Sequence, residues 1–329
     1  MMQAAGVSFL DAAAPPGRLP QITLEAVAAA SQWDALLSRA PFPHSVQSFA
    51  YGTAKAGHGW HVARVLVRHA GQPVAMVQVL ERRMFGLRLV TRINRGPIFL
   101  DARPPRELVV AVYRAIRQRW GRLPRGVLLI APALEAGEEG HAIMTEAGYR
   151  RRRGNGWGSA RIDLSPDIET VFAGLDGKWR NRVRAGQRSG VTVRVTREGA
   201  DFAWMADRHL ENMQAKAFSG HDRGFLAALR QSFGDDLVLV QAIHEQRPVA
   251  GLVLIRVGPL ADGVVAWFGP EARDLKAGNV VAWGAIAEMH RLGCTTYDVG
   301  GTNSDKGCST FKAGMKGEDY LLLGEYVGV

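Results

Sequence analysis

The sequence predicts an α/β (α+β) protein made of two tandem copies of one unit, and three observations carry that prediction. The stretch 60–83, WHVARVLVRHAGQPVAMVQVLERR, reads as two apolar strands around a short polar turn, and 237–258, LVLVQAIHEQRPVAGLVLIRVG, repeats the same grammar. Runs of β-branched residues broken by brief polar turns are the mark of hairpins. Each hairpin is followed by a Gly-Pro step (Gly96-Pro97, Gly269-Pro270), a polar loop, a segment of helical periodicity and a short apolar run. The spacing is nearly constant, with Pro248-Val249-Ala250 standing 175 residues after Pro73-Val74-Ala75. Two copies, rather than many, make a duplicated domain and not a solenoid.

Taken in order, the elements follow from local pattern. In the first copy the 60–83 hairpin leads to a helix over 106–120, apolar on one face, and to a strand over 126–132. The seam falls in 149–158, YRRRRGNGWG, rich in glycine and charge. The second copy opens with a strand at 159–164, SARIDL, then a polar helix-like segment over 167–190 and a strand in VTVRVTRE. Helices over 200–216 and 222–233 precede the 237–258 hairpin, and a helix over 278–292 leads to a strand over 295–301. The chain then crosses a glycine-rich stretch in YDVGGTNSDKGCSTFKAGMKGE, 297–318, which reads as a loop.

Composition narrows the classes of function. With 329 residues, 47% of them hydrophobic, the chain is long enough for two ordinary domains and is not a disordered one. There is no run of about 18 apolar residues, so no spanning helix is expected. The start, MMQAAGVSFLDAAAPPGRLP, lacks the basic and apolar regions of a signal peptide. Cys294 and Cys308 are the two cysteines, too few for a disulfide framework and suited to a reduced compartment. A cytoplasmic protein is therefore expected. The formal charge of +10 favours a polyanionic or phosphorylated partner, or peripheral contact with an anionic membrane surface such as the inner membrane.

Against this background the lysines stand out. The chain has 7 lysines and 34 arginines, yet Lys306, Lys312 and Lys316 fall within eleven residues. Lysine is a compact, titratable point charge, unlike the always-charged guanidinium. A second concentration of charge is the segment 178–197, with Lys178, Arg180, Arg182, Arg184, Arg188, Arg194 and Arg197 and no acidic residue. Arg180 and Arg184 share one helical face, as do Lys178 and Arg182. Such a surface attracts a phosphate backbone, although charge runs are more often plain solvated faces.

The stretches KWRNRVRAGQRSGVTV (178–193), DRGFLAALRQSF (222–233), LGCTTYDVGGT (292–302) and FKAGMKGEDYLLLGEY (311–326) resemble the FemABX family. Weaker echoes lie in SFAYGTAKAGHGW (48–60) and RINRGPIFLD (92–101). These are aminoacyl-tRNA-dependent transferases that extend peptidoglycan stem peptides, built from two acetyltransferase-like (GNAT) domains. The resemblance implies a first domain of residues 1–153 with 318–329, on the acceptor side, and a second of 154–317, on the donor side. It implies aminoacyl-tRNA and a UDP- or lipid-linked peptidoglycan precursor as partners, and no cofactor. Lys312 matches the lysine of the family's Phe-Lys-x-Gly motif, which would meet the oxyanion, with Gly307 and Gly314 letting a ligand approach. Phe311 would pack on the terminal adenosine. Lys55 and Arg223 match positions that hold the acceptor diphosphate, and Asp101 matches a carboxylate considered as a general base. Lys178, Arg180, Arg182, Arg184 and Arg188 would face tRNA. Two departures are visible: the second domain has no long charged helical hairpin, as in the shorter FemX-like members, and Phe49-Ala50-Tyr51 lacks the usual tryptophan.

Other motifs carry less. Ser309-Thr310-Phe311-Lys312 spells S-x-x-K, but only seventeen residues follow and the companion motifs of serine β-lactamases are missing. The nine histidines form no H-E-x-x-H, so no metal is expected. RDLKAGN, 273–279, sits where an acetyltransferase places its pyrophosphate loop, though without that loop's glycine spacing. Two further readings therefore stay open: an N-acyltransferase using acyl-CoA on a small amine, and a non-catalytic GNAT-like binding module.

Overall fold

The computed structural model describes residues 19–121, 126–152, 154–218, 220–302 and 306–328. Packing divides the chain into one unit that runs to Gly158 and takes in the tail from Asp319, and a second unit, Ser159–Glu318.

The first unit carries β1 (Ile22–Ala26), α1 (Ala30–Leu37), α2 (Phe49–Ala56), β2 (His61–His69), β3 (Gln72–Met84), β4 (Leu87–Asn94), β5 (Ile98–Phe99), α3 (Arg106–Trp120), β6 (Val127–Ala131), α4 (Glu138–Glu146) and β7 (Tyr149–Arg151). Next come β8 (Gly158–Asp163), α5 (Ile168–Gly174), α6 (Gly177–Arg188), β9 (Thr192–Thr196), α7 (Gly199–Lys216) and α8 (Arg223–Phe233). The second unit is completed by β10 (Leu237–His244), β11 (Arg247–Val257), β12 (Leu260–Phe268), α9 (Ala277–Arg291), β13 (Thr296–Asp298) and α10 (Lys306–Ala313). The tail holds β14 (Glu318–Leu321) and β15 (Tyr326–Gly328).

The duplication is visible in the pairing. The first sheet runs β1-β2-β3-β4-β6-β15-β7, with β5 on β3, and the second contains β8-β13-β12-β11-β10-β9. In each, an antiparallel three-stranded meander is followed by a helix and a strand that returns parallel to the meander's last member: β4 beside β6, and β12 beside β13. Both meanders carry a bulge at the valine after the repeated proline, Val74 and Val249, so that Arg68 faces Pro73 and Ile243 faces Pro248. Proline cannot donate to a ladder, and a bulge is one of the few places in a sheet that tolerates it. The repeated Pro-Val-Ala thus marks one irregularity inherited twice. Both sheets are mixed and flanked by helices, which gives the two tandem α/β units expected from sequence.

The helices fold as their apolar spacing dictates. On α3, Val109, Val110, Val112, Tyr113, Ile116 and Trp120 are buried; each large side chain contributes about 1.5–3 kcal/mol by leaving water. Glu107 in its first turn and Arg117 and Arg119 in its last complement the helix dipole. The helix-like segment 167–190 is a correction: it is two helices. Leu175 is extended (φ −67, ψ 156), and Asp176 accepts hydrogen bonds from the backbone N–H groups of Lys178 and Trp179, starting α6 afresh. The stretch after β13 is a second correction, since residues 306–313 are helical and not loop.

Candidate functional site

The site grows from the point where β12 and β13 part. Their parallel register covers three residues and ends at Asp262 opposite Asp298. Just beyond, β12 is bulged, with Gly263 facing Leu254 and Val265 facing Val253. Asp298 is almost fully buried. Its Oδ1 accepts hydrogen bonds from the Gly300 N–H (2.9 Å) and from Ser159 Oγ, and Arg161 Nε lies 3.6 Å from Oδ2. These contacts fold the chain back at Gly300, which has φ +74 and stands where a Cβ would come within 3.0 Å of the Gly263 carbonyl. Only glycine meets both demands without strain.

The turn aims the next carbonyl, that of Gly301, at Lys312, whose Nζ donates to it at 2.7 Å. Lys312 lies in the last turn of α10 and is half-buried. Burial lowers the pKa of its ammonium group, against Cys308, Asp298 and Asp262, which favour the charge. An ammonium group partly buried near two buried carboxylates has shed part of its water. Such a group stabilises a nascent anion more strongly than a solvated lysine does.

Phe311 packs against the second unit's core, its ring 5.9 Å from Trp179 and 6.1 Å from Phe268. The helix is seated by Gly314, where a Cβ would come within 2.6 Å of Trp179 Cδ1, and whose carbonyl accepts the Asp176 N–H at 3.0 Å. Gly314 thus serves close packing of α10 on α6, and not the approach of a ligand as expected. Trp179, Asp262, Asp298 and Cys308 complete this site and were not singled out from sequence. The Trp in KWRN and the Asp in YDVGG were the available signals, but each looks like an ordinary core or strand residue.

The remaining candidates occupy separate surroundings. On α6, Lys178, Arg182, Arg184 and Arg188 are exposed. Arg184 lies over the Phe172 ring at 5.3 Å. Arg180 differs: its Nη1 donates to the carbonyls of Leu175 (2.8 Å) and Ala173, tying α6 to the end of α5. Arg223 is exposed, ion-paired with Asp207, at the rim of a cavity of about 260 Å³ lined by Phe202, Leu226, Arg230 and Val253. In the first unit, Lys55 closes α2 with its ammonium 5.5 Å from the Tyr51 ring centre. Asp101 is exposed and accepts the Arg103 N–H at 2.9 Å, the contact of a residue that orders its own loop. Among the described residues no group of three or more His, Cys, Asp or Glu could hold a metal ion, and no helix is long and apolar enough to cross a membrane.

Comparison with known proteins fits this architecture. Residues 177–313 match the acetyltransferase (GNAT) domain family. The crystal structure of FemX superposes with a TM-score of 0.74 at 15% identity, covering 94% of this chain and 97% of that one. A tandem GNAT protein from the clavulanic acid biosynthesis pathway gives 0.55 at 14% identity, covering 93% and 98%. The C-terminal domain of a putative lysylphosphatidylglycerol synthetase from Agrobacterium fabrum gives 0.54 at 11% identity, covering 91% of each chain. No curated protein matches in sequence. The class is thereby defined as a protein of tandem GNAT fold, the fold of acyltransferases. Within that class the chain has the architecture of FemX.

Proposed function

We propose that this protein transfers an aminoacyl group from aminoacyl-tRNA to an amine of a peptidoglycan precursor stem peptide, UDP-linked or lipid-linked. The observation that carries this reading is Lys312: a half-buried ammonium held by the Gly301 carbonyl at the mouth of the β12–β13 split. The resemblance of Phe311-Lys312 and the flanking stretches to the FemABX family supports it, as does the tandem fold shared with FemX.

In this reaction the acceptor nitrogen attacks the ester carbonyl carbon, and the carbonyl π-electrons move onto oxygen. Lys312 meets that oxyanion. Collapse of the tetrahedral species breaks the ester C–O bond, the tRNA ribose oxygen leaves with a proton, and an amide remains. A cation fixed beside the developing charge contributes on the order of a hundred- to a thousand-fold in rate. Phe311 offers an apolar wall for the terminal adenosine. Lys178, Arg182, Arg184 and Arg188 present the basic surface for the tRNA backbone, while Arg180 shapes the turn that leads into it. Lys55 and Arg223 would hold acceptor phosphate, Arg223 exchanging Asp207 for it. Asp101 stays a loop-ordering residue in this scheme, and the amine's proton passes to water or to the substrate.

One observation favours a second reading, an acyl-CoA-dependent N-acyltransferase. The GNAT match spans the start of α9, where Asn279 Nδ2 and, on the neighbouring α6, Trp179 Nε1 are buried donors without a hydrogen-bond partner among the described residues. Incubating purified precursor with a mixture of charged tRNAs and weighing the product separates the two. Aminoacyl transfer adds the mass of an amino acid residue, and RNase abolishes it. Thiol release from acetyl-CoA in the absence of RNA, with no gain of amino acid mass, would replace this reading by the second.

A further inference from the structure

The first unit exposes an apolar tip that its own fold does not use. β3 and β4 form a hairpin closed by Phe85 and Gly86, with Met84 facing Leu87. Pairing of β2 to β3 stops at Glu81, and pairing of β6 to β4 starts at Val90. Gly126 still lies against the Arg88 and Leu89 carbonyls, so the part that stands beyond the paired neighbours is the tip from Met84 to Leu87. On this tip Phe85 is 94% exposed, Leu87 70% and Met84 53%, and below it Leu89 is 44% exposed. The loop's two residues have φ +49 and +79, as a type I′ turn requires. Such turns favour Asn-Gly, and a bulky side chain at positive φ is costly. A phenylalanine there, bare to solvent, opposes both folding and solubility unless something covers it.

Charge identifies the cover. Of the four arginines at 82–92, Arg82 and Arg83 are exposed, whereas Arg88 is turned in toward the Trp120 carbonyl and Arg92 pairs with Glu325 at 2.9 Å. Arg83 and Arg88 share the Glu81 carboxylate at the hairpin root (2.6 and 3.3 Å), and Arg82 lies over the Trp60 ring at 4.6 Å. An apolar end above the exposed guanidinium groups of Arg82 and Arg83 matches an anionic bilayer, whose acyl boundary takes the tip while its headgroups meet the two cations. A depth of about 5–10 Å is typical of interfacial insertion, and each basic residue near the surface adds to binding.

We propose that the β3–β4 hairpin docks this protein on an anionic lipid surface. The inference stands apart from the transfer reaction, because partition is measured without donor or acceptor. Sedimentation with phosphatidylcholine vesicles, with and without phosphatidylglycerol, tests it on the full chain. The wild type should partition onto the phosphatidylglycerol vesicles and come off in high salt, and Phe85→Asn should partition about tenfold less. Asn-Gly suits the turn, so Phe85→Asn should melt no lower than wild type, which keeps misfolding out of the comparison. Equal partition of the two proteins, or none by the wild type, would overturn the proposal. So would a wild-type dimer that Phe85→Asn converts to monomer, or an RNA affinity that falls with Phe85→Asn while lipid partition stays the same.

Discussion

The two copies carry the same hairpin to opposite ends. In the first, the β3–β4 turn stands out beyond the sheet with Met84, Phe85 and Leu87 bare. In the second, the β11–β12 turn is drawn in: Val257 and Leu260 are buried, and the Pro259 carbonyl accepts the N–H groups of Thr295 (2.9 Å) and Thr296 (3.1 Å). The strand beyond the following helix diverges too. β6 is Val-Leu-Leu-Ile-Ala without a carboxylate, whereas β13 ends in buried Asp298 and leads to Lys312. The same meander thus bears a surface feature in one copy and a charged cleft in the other. Polar groups are costly to bury, and both copies bury a carboxylate. Glu81 is closed off by Arg83, Arg88 and Trp120, whereas Asp298 and Asp262 act on the half-buried Lys312, so chemistry is to be sought in the second copy.

Three changes bear on that contrast, in order of expected size. Lys312→Met should remove the cleft's chemistry alone, lowering turnover on the order of a hundred- to a thousand-fold with melting temperature and acceptor affinity near wild type. A variant of unchanged turnover would make the two copies chemically alike. Glu81→Gln should act on the first copy instead, costing about 2 kcal/mol as its charge-assisted bonds from Arg83 and Arg88 weaken, read from the urea midpoint. Burial raises the Glu81 pKa, but the bonds from Arg83, Arg88 and Trp120 outweigh it, leaving the pKa below its ordinary 4.5. A carboxylate with a lowered folded pKa stabilises above its unfolded value, so this contribution is present at neutral pH and fades as pH falls through the folded one. Smallest is Arg182→Ala on α6, expected to weaken tRNA binding a few-fold and to reduce the slope of log affinity against log salt by about 1. An unaltered slope would return that helix face to plain solvent.

Much of this was legible in the sequence. The β2–β3 and β10–β11 hairpins and the helices α3, α7, α8 and α9 follow from strong apolar period and from glycine and proline at their ends, whereas the third strand of each meander, β4 and β12, was not read. The repeated Pro-Val-Ala exposed the duplication because a bulge fixes proline's place. What escaped notice has a physical cause. α10 is eight residues long with glycines at its borders, so local pattern reads it as loop, and its seat on Trp179 is a contact distant in sequence. The break at Leu175-Asp176 was hidden because the helical period continues on both sides. Asp298 gave no sign because a buried carboxylate is distinguished by its partners Ser159 and Arg161, not by its neighbours. Nor does local pattern tell that β15 enters between β6 and β7.

The most direct test of the account is the rate of aminoacyl transfer by wild type and by Lys312→Arg, followed together as pH rises. Burial lowers the Lys312 pKa below the usual 10.5, so the account predicts that wild type loses rate on the alkaline side before an ordinary lysine would discharge. The arginine variant, whose charge persists, should hold its own rate across the same range. Parallel alkaline limbs in the two proteins would mean that the charge on residue 312 does not stabilise the transition state, and the assignment of the cleft would fall.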